Sequence, residues 1–316
     1  MHSRSSKVSV IGAGAVGASM AYAMLIRQSA REVVLYDVNE AKATAEVLDL
    51  AHGTQFTGSS SITGGADISL TKNSDVIVIT AGAKQNPGQT RLELAGINYS
   101  ILKSLLPELL KHSPEAIFVL VTNPCDVLAT AAMRLTGLPA NRIFSSGTVL
   151  DSSRLRWLLG ERLGISTSNI HANIIGEHGD SEFALWSQAA VGNVPLLDWK
   201  LSDGSSISRE ELDEIAYSVK TAAYKVIEGK GATNFAIGLS GARIVEAILN
   251  DEQAILPISS VLNNYHGVSG IAMSVPTVVN RNGAVRTIDI TMESHEQELF
   301  NKSASAIKAS LDSIGI

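Results

Sequence analysis

Cysteine is almost missing from this sequence: of 316 residues only Cys125 is one. No disulfide can close within the chain, and no cysteine cluster is available to hold a metal. A thiol without a partner suits a reducing compartment, so a cytoplasmic location is expected. Aromatic residues make up only 5% of the chain, too few for a base-stacking platform. Basic charge is not in excess either. The 25 Lys and Arg against 31 Asp and Glu leave a net charge of -6, which argues against a nucleic-acid partner, because phosphate backbones select basic surfaces. Long apolar runs are lacking as well. A-I-F-V-L-V at 116–121 has the length of a strand, not of a membrane-spanning helix. M-H-S-R-S-S-K passes directly into a strand pattern without an apolar leader, so neither export nor a membrane is expected.

What is present describes an ordinary globular protein, with 45% hydrophobic and 18% charged residues. The length suits two domains, or one large one, with ample material for a core. No internal repeat, low-complexity tract or charge run interrupts the chain.

The organisation is read most easily from the start. A short strand pattern at Lys7–Val10 runs into I-G-A-G-A-V-G (11–17), then into an alanine-rich helical pattern. A second strand pattern, R-E-V-V-L-Y-D, ends at Asp37, twenty residues after Gly17. A lone G-x-G-x-x-G is weak evidence, but between a strand and a helix each glycine has a task. Gly12 makes the tight turn, Gly14 lets a pyrophosphate approach the backbone, and Gly17 lets helix and strand pack closely. Free N–H groups and the helix dipole then face the phosphates. An acid at the end of the second strand accepts hydrogen bonds from a ribose diol and repels a 2′-phosphate, which favours NAD over NADP. The alternation continues through D-V-I-V-I-T-A-G (75–82), a helix from about Thr90 to Lys111, A-I-F-V-L-V-T-N-P (116–124), a helix near 126–136, and R-I-F-S-S-G-T (142–148). The fold class expected is α/β, a Rossmann-type doubly wound parallel sheet followed by a C-terminal α+β domain. The division is expected at 1–147 and 148–316, although no linker marks it. Gly82, Asn123 and Ser146 sit just past strand ends and are expected to line one crevice. An Asn-Gly turn signal in R-N-G-A-V (281–285) predicts a hairpin, and an amphipathic pattern over 294–313 predicts a terminal helix.

The segment with most chemical promise is I-I-G-E-H-G-D-S-E (174–182), where His178 stands between two glycines and two acids. Gly176 and Gly179 permit a tight loop that presents the imidazole. Histidine changes charge near neutral pH, so His178 is a candidate proton donor and acceptor. The competing reading is a loop histidine that bonds its neighbours. In L-D-S-S-R-L-R-W-L-L (150–159), helical spacing puts Asp151 and Arg154 about 60° apart on one face, with Arg156 about 200° from Arg154. Arg154 offers a planar fork for a carboxylate, and Asp151 is suited to orienting His178. A surface ion pair is the alternative. The loop A-G-A-K-Q-N-P-G-Q-T-R (81–91) reads as a lid over the crevice, from which Arg91 can polarise a substrate oxygen. Solvation of the helix end is the other reading for Arg91.

Taken in order, G-A-G-A-V-G, A-G-A-K-Q-x-P-G-x-T-R, T-N-P, L-D-x-x-R, G-E-H-G-D-S and G-A-T-N-F-A-I-G resemble signature segments of the lactate/malate dehydrogenase family, on its L-lactate dehydrogenase branch. The likeness runs from Val8 into the C-terminal region. It implies NAD as cofactor, with His178 as general acid toward pyruvate and base toward L-lactate. Asp151 would stabilise the imidazolium, Arg154 would bind the substrate carboxylate, and Arg91 would polarise the carbonyl. Asn123 would touch substrate and cofactor, and Thr233 would line the substrate pocket. Val16, Lys42, Ala83, Ser104 and Val121 join Gly12, Gly14, Gly17, Asp37, Gly82 and Ser146 as matches to cofactor-contact positions. Gln85 matches the position where lactate dehydrogenases carry Gln and malate dehydrogenases Arg. Burying the second carboxylate of oxaloacetate against a neutral amide would cost several kcal/mol, and the neighbouring Lys84 is expected to point away. Arg156 and His171 match positions where many bacterial members bind fructose 1,6-bisphosphate across a subunit interface, which implies an allosteric homotetramer. No resident metal is expected, because His171 and His178 lack a ligand spacing such as H-E-x-x-H. The alternatives are a malate or other 2-hydroxy-acid dehydrogenase, and a catalytically silent NAD-binding protein. Asn234, where an aromatic is common, and Cys125, where a branched aliphatic is usual, depart from the family pattern.

Overall fold

The computed structural model describes residues 6–83 and 91–316, without the side chains of residues 91 and 92. The first half alternates strand and helix: β1 (Lys7–Ile11), α1 (Ala15–Arg27), β2 (Glu32–Tyr36), α2 (Glu40–His52), β3 (Ser61–Gly65), β4 (Val76–Ile79), α3 (Arg91–His112), β5 (Ile117–Leu120), α4 (Cys125–Thr136), β6 (Ile143–Ser145) and α5 (Val149–Leu163). The central strands are continuous aliphatic runs, V-I-V-I in β4 and I-F-V-L in β5, with every residue buried. Such runs suit strands covered by helices on both faces, and β1 to β6 pair in parallel.

The second half is built of shorter pieces. These are β7 (Ile170–His171), β8 (Ile174–Ile175), β9 (Phe183–Ala184), β10 (Ala190–Val191), β11 (Val194–Pro195), α6 (Arg209–Lys230), α7 (Phe235–Leu249), β12 (Ala254–Leu256), β13 (Ser259–Val261), β14 (Ala272–Ser274), β15 (Thr277–Asn280), β16 (Gly283–Thr287) and α8 (Ser294–Ser313). The main sheet has the order β14-β13-β6-β5-β4-β1-β2-β3. Two strands of the second half therefore extend the sheet of the first: β13 runs antiparallel to β6, with Ser259 opposite Ser145, and β14 runs antiparallel to β13.

Two features of this architecture position the site. The chain leaves β1 in one direction to β2 and β3, and in the other to β4, β5 and β6. A crevice therefore opens beyond the carboxyl ends of β1 and β4, where the glycine-rich loop and Gly82 both emerge. In addition, α7 packs along α1, and Arg27 grips Glu246 with two hydrogen bonds of 2.7 Å while Ser29 donates to the same carboxylate at 2.8 Å. Thr233, just before α7, is thereby held over the glycine loop that precedes α1.

The hairpin forms as expected, but its loop is displaced by one residue. Asn280 pairs with Gly283, so Arg281 and Asn282 make the connection and Gly283 opens β16 with φ 86. Gly283 is forced into place by Asn141, whose carbonyl leaves no room for a Cβ. Among the described residues, no helix is long and apolar enough to cross a membrane.

Candidate active site

Gly12 turns the chain at the end of β1 with φ 107, and a Cβ there would come within 2.8 Å of the Ala81 backbone nitrogen. At Gly14, by contrast, no atom lies within 4 Å of where a Cβ would be. Helix α1 starts at this open point and has no side-chain cap, so its first N–H groups face an anion site. At the end of β2, Asp37 is fixed by two backbone donors, Ala13 N–H on Oδ2 at 2.7 Å and Asn39 N–H on Oδ1 at 2.9 Å. Each oxygen keeps lone-pair capacity for a ribose hydroxyl. An uncapped helix start, open space at Gly14 and a fixed acid nearby fit a dinucleotide.

Three adjoining clefts follow from this arrangement. The first is lined by Gly12, Gly14, Asp37, Lys42, Gly82, Ala83 and Ser104, with Lys42 and Ser104 exposed at its rim. The second gathers Val16, Gly17, Val121, Asn123 and Thr233 under α6. Asn123 also lines the third, together with Asp151, Arg154 and His178. Ser146 is 4% exposed and is not among the residues that line these three clefts. In the tight turn from β6 into α5 its N–H donates to Leu120 O and its carbonyl accepts the Val149 N–H.

His178 sits at the floor of the third cleft. Gly176 has φ 96, and a Cβ on it would lie 2.6 Å from Ser303 Oγ, so glycine is needed there for both conformation and space. Of the two glycines flanking the histidine, Gly176 is the one in the left-handed region. The loop is pinned by Asp126, at the first turn of α4, whose Oδ2 accepts the His178 backbone N–H at 2.7 Å. The imidazole Nδ1 meets Asp151 Oδ2 at 2.7 Å, and Asp151 Oδ1 accepts from Arg154 at 2.6 Å. The helical spacing thus delivers the Asp151–Arg154 pair to the cavity. Arg156 points away from it and donates to Ala172 O and Asn173 Oδ1, both at 2.9 Å. These acceptors lie next to His171, which is exposed on β7. Arg91 opens α3, but its side chain is not described, and Gln85 and Lys84 lie outside the described residues.

The electrostatics follow from burial and from this pairing. Burial opposes the imidazolium, but the Asp151 carboxylate, helped by Glu182 and Asp126, outweighs it and pushes His178 up to about 9. Burial also opposes the charge of Asp151, yet His178 and Arg154 hold its carboxyl below the usual range. Desolvation raises Asp126 to about 6 despite Ser259 and His178. Cys125 is 1% exposed, and burial pushes its thiol well up, as for a packing residue and not a nucleophile. Asn234 finds a use in this fold, since its Nδ2 donates to Ser19 Oγ on α1 at 2.7 Å.

Four further groups matter here that were not identified from sequence. Asn98, 1% exposed, accepts the Ala83 N–H at 2.7 Å and donates to Asn123 O at 2.8 Å, joining two loops of the crevice. Asp126 follows T-N-P-C directly, and an acid in the first turn of a helix was its only signal. Lys220, Tyr224 and Ile227, one stripe of α6, wall the third cleft. Glu182, four residues past His178, lies 3.9 Å from its Nδ1. Asp151, His178 and Glu182 bring metal-ligand atoms within 4.8 Å of one another, but Asp151 is committed to Arg154 and the imidazole.

Comparison with known proteins agrees with this geometry. The profile of the lactate/malate dehydrogenase NAD-binding domain matches residues 6–145, and that of the lactate/malate dehydrogenase alpha/beta C-terminal domain matches residues 148–315. An L-lactate dehydrogenase of Bifidobacterium animalis subsp. lactis is 47% identical over 310 residues, 98% of this chain and 97% of the relative. One from Thermoanaerobacterium saccharolyticum is 43% identical over 302 residues, covering 96% and 97%. The crystal structure of the minor L-lactate dehydrogenase of Enterococcus mundtii, in a ligand-bound form, superposes with a TM-score of 0.94 at 39% identity and covers 99% of both chains. This chain belongs to the lactate/malate dehydrogenase family and is an NAD-dependent oxidoreductase.

Proposed function

We propose that the chain is an L-lactate dehydrogenase, reversibly reducing pyruvate to L-lactate with His178 as proton donor and acceptor. The observation that carries this reading is the line of three side chains in one cavity: Arg154 on Asp151 at 2.6 Å, and Asp151 on His178 at 2.7 Å. With Nδ1 committed to Asp151, Nε2 is the nitrogen left to exchange a proton. Arg154 spends one edge on Asp151 and keeps further N–H donors for the carboxylate of a 2-oxo acid. When bound, NAD supplies hydride exchange with the substrate carbon; Asp37, the α1 N-terminus and the Val16–Thr233 cleft would hold it. Asn123, shared by two clefts, would bridge substrate and cofactor sides. Arg91 is assigned the role of polarising the carbonyl, and Gln85 that of selecting a methyl group over a second carboxylate; both assignments rest on the sequence likeness. In this reading 1–147 is the cofactor domain and 148–316 the substrate domain of a cytoplasmic homotetramer.

Arg156 and His171 belong, in the same reading, to a fructose 1,6-bisphosphate effector site. What supports this reading is the sequence likeness, together with Arg156 facing away from the cavity, its guanidinium donating to Ala172 O and Asn173 Oδ1 beside His171.

One experiment tests the whole reading: NADH absorbance followed with pyruvate and with oxaloacetate, with and without the bisphosphate. Pyruvate should be strongly preferred, and Gln85→Arg should move the preference toward oxaloacetate. Rates at low pyruvate should rise with the bisphosphate at pH 6 and respond less at pH 8. A wild-type preference for oxaloacetate overturns the substrate assignment, and no activation at either pH removes the effector site.

A further inference from the structure

Glu182 is an acid the proposed chemistry does not use. Its side chain is 5% exposed, and its Oε2 lies 3.9 Å from His178 Nδ1. That nitrogen is already bonded to Asp151, and Arg154 is bonded to the same carboxylate. Among the described residues, no other cation comes within ion-pair distance of Glu182. The groups around it come from several elements. Asp151 and Arg154 stand on α5, His178 and the exposed Asp180 on its own loop, Lys220 and Tyr224 on α6, and Asp126 on α4 behind the histidine.

A charge count exposes the difficulty. The paired cations are Arg154 and the imidazolium of His178, whose side chains are 17% and 27% exposed, while Asp151, Asp126 and Glu182 would be three anions if all were ionised. A substrate carboxylate docking on Arg154 would be a fourth, with only half-buried Lys220 as a further cation. Uncompensated charge held out of water is costly, and protonation is the usual relief. Asp151 accepts from two cations and Asp126 accepts a backbone N–H, so both have reason to stay ionised. Glu182, without a hydrogen-bonded partner among the described residues, does not. Burial and the charge of Asp151 push its carboxyl up to about 8, against the opposing pull of His178, Arg154 and Lys220.

We propose that Glu182 works as a neutral carboxylic acid during turnover, taking up a proton as the carboxylate of a 2-oxo acid docks on Arg154, so that ionised Glu182 weakens substrate binding. This rests on the reading of the cavity as a 2-oxo acid site, and it adds a second proton to the binding equilibrium beside that of His178.

Oxamate, an isostere of pyruvate that accepts no hydride, is the probe. It is titrated into the wild-type NADH complex from pH 6 to pH 9.5 by quenching of nicotinamide fluorescence. Each linked proton contributes about tenfold in Kd per pH unit above the pKa of its group. The wild type should therefore approach a hundredfold rise per unit at the alkaline end. Glu182→Gln should match it at pH 6, rise only about tenfold per unit, and bind oxamate at least tenfold more tightly at pH 9. An alkaline slope unchanged by the substitution overturns the proposal. A second measurement needs no variant: infrared difference spectra of the wild type at pH 8.5 should gain a protonated-carboxyl band on adding oxamate, and its absence overturns the proposal equally. The general-acid reading is checked separately by His178→Asn, which should abolish turnover. If that variant turns over normally, the acid assignment fails while the binding slope still decides Glu182.

Discussion

At Asp151 two cations meet one carboxylate that is 2% exposed, with Arg154 on one oxygen and His178 on the other. Burial alone would drive this acid neutral, and only the paired cations keep it charged. The dependence is mutual, since Asp151 is also what keeps the imidazolium charged. The raised pKa of His178 means that its proton persists through neutral pH and is lost only as pH rises through about 9. In kcat/KM for pyruvate reduction, loss of the His178 proton should then contribute a fall of about tenfold per pH unit above that value, in addition to the fall that comes from Glu182. Asp151→Asn keeps the shape of the side chain but removes the charge. The alkaline limb should move toward the ordinary histidine value, and at pH 8 the reduction rate should fall by roughly 10²–10⁴. Steady-state rates from pH 6 to 10 measure both effects. A variant whose limb stays near 9 would show that the charge of Asp151 is not what holds the proton.

At the scale of elements, the His178 loop is tied to α4 through one carboxylate. Asp126→Ala would leave the His178 N–H without its acceptor and open a small hole behind the loop. Such a buried orphan costs about 1–3 kcal/mol, so thermal unfolding should shift down and turnover should fall, with NADH affinity nearly unchanged. An unshifted melting curve would mean the loop is held by its other bonds, from Gly176 to Ser274 and from Glu177 to Ser303. The sequence revealed one side of this tie and hid the other. The glycine spacing, the strand–helix alternation and the i,i+3 pair Asp151–Arg154 were legible because each is set by local periodicity. The role of Asp126 was not, since an acid in the first turn of a helix looks the same whether its oxygen faces water or a loop fifty residues away. For the same reason the stripe Lys220, Tyr224 and Ile227 read as one face of an amphipathic helix, without indicating what it covers. The pairing of β13 with β6 carries no local signal, and neither does the close approach of the Asn141 carbonyl, remote in sequence, that leaves no room for a side chain at Gly283.

At the scale of the whole molecule, helices α1 and α7 are apolar on more than the side they bury. Met20 and Met24 of α1 face the core, yet Tyr22 and Ile26 remain 53% and 51% exposed one turn apart. On α7, Phe235 and Leu239 repeat the spacing at 68% and 52%. A surface helix normally turns charged residues outward, so each outward apolar pair is suited to contact with a second copy of the chain, although Lys230 already lies over the Phe235 ring. Burying the exposed parts of four such side chains is worth several kcal/mol, at roughly 1.5–3 kcal/mol for each one fully buried. Ile26→Asp with Leu239→Asp places a carboxylate in each pair, and if the proposed tetramer uses this surface the variant should sediment as smaller species. The same two helices frame the cofactor crevice, since α1 begins at the glycine loop and Thr233 lies just before α7. Dissociation should therefore also weaken NADH binding, measured on the same samples by nicotinamide fluorescence. A variant that remains tetrameric would remove this face from the interface, and a wild type that sediments as a monomer would remove the tetramer itself.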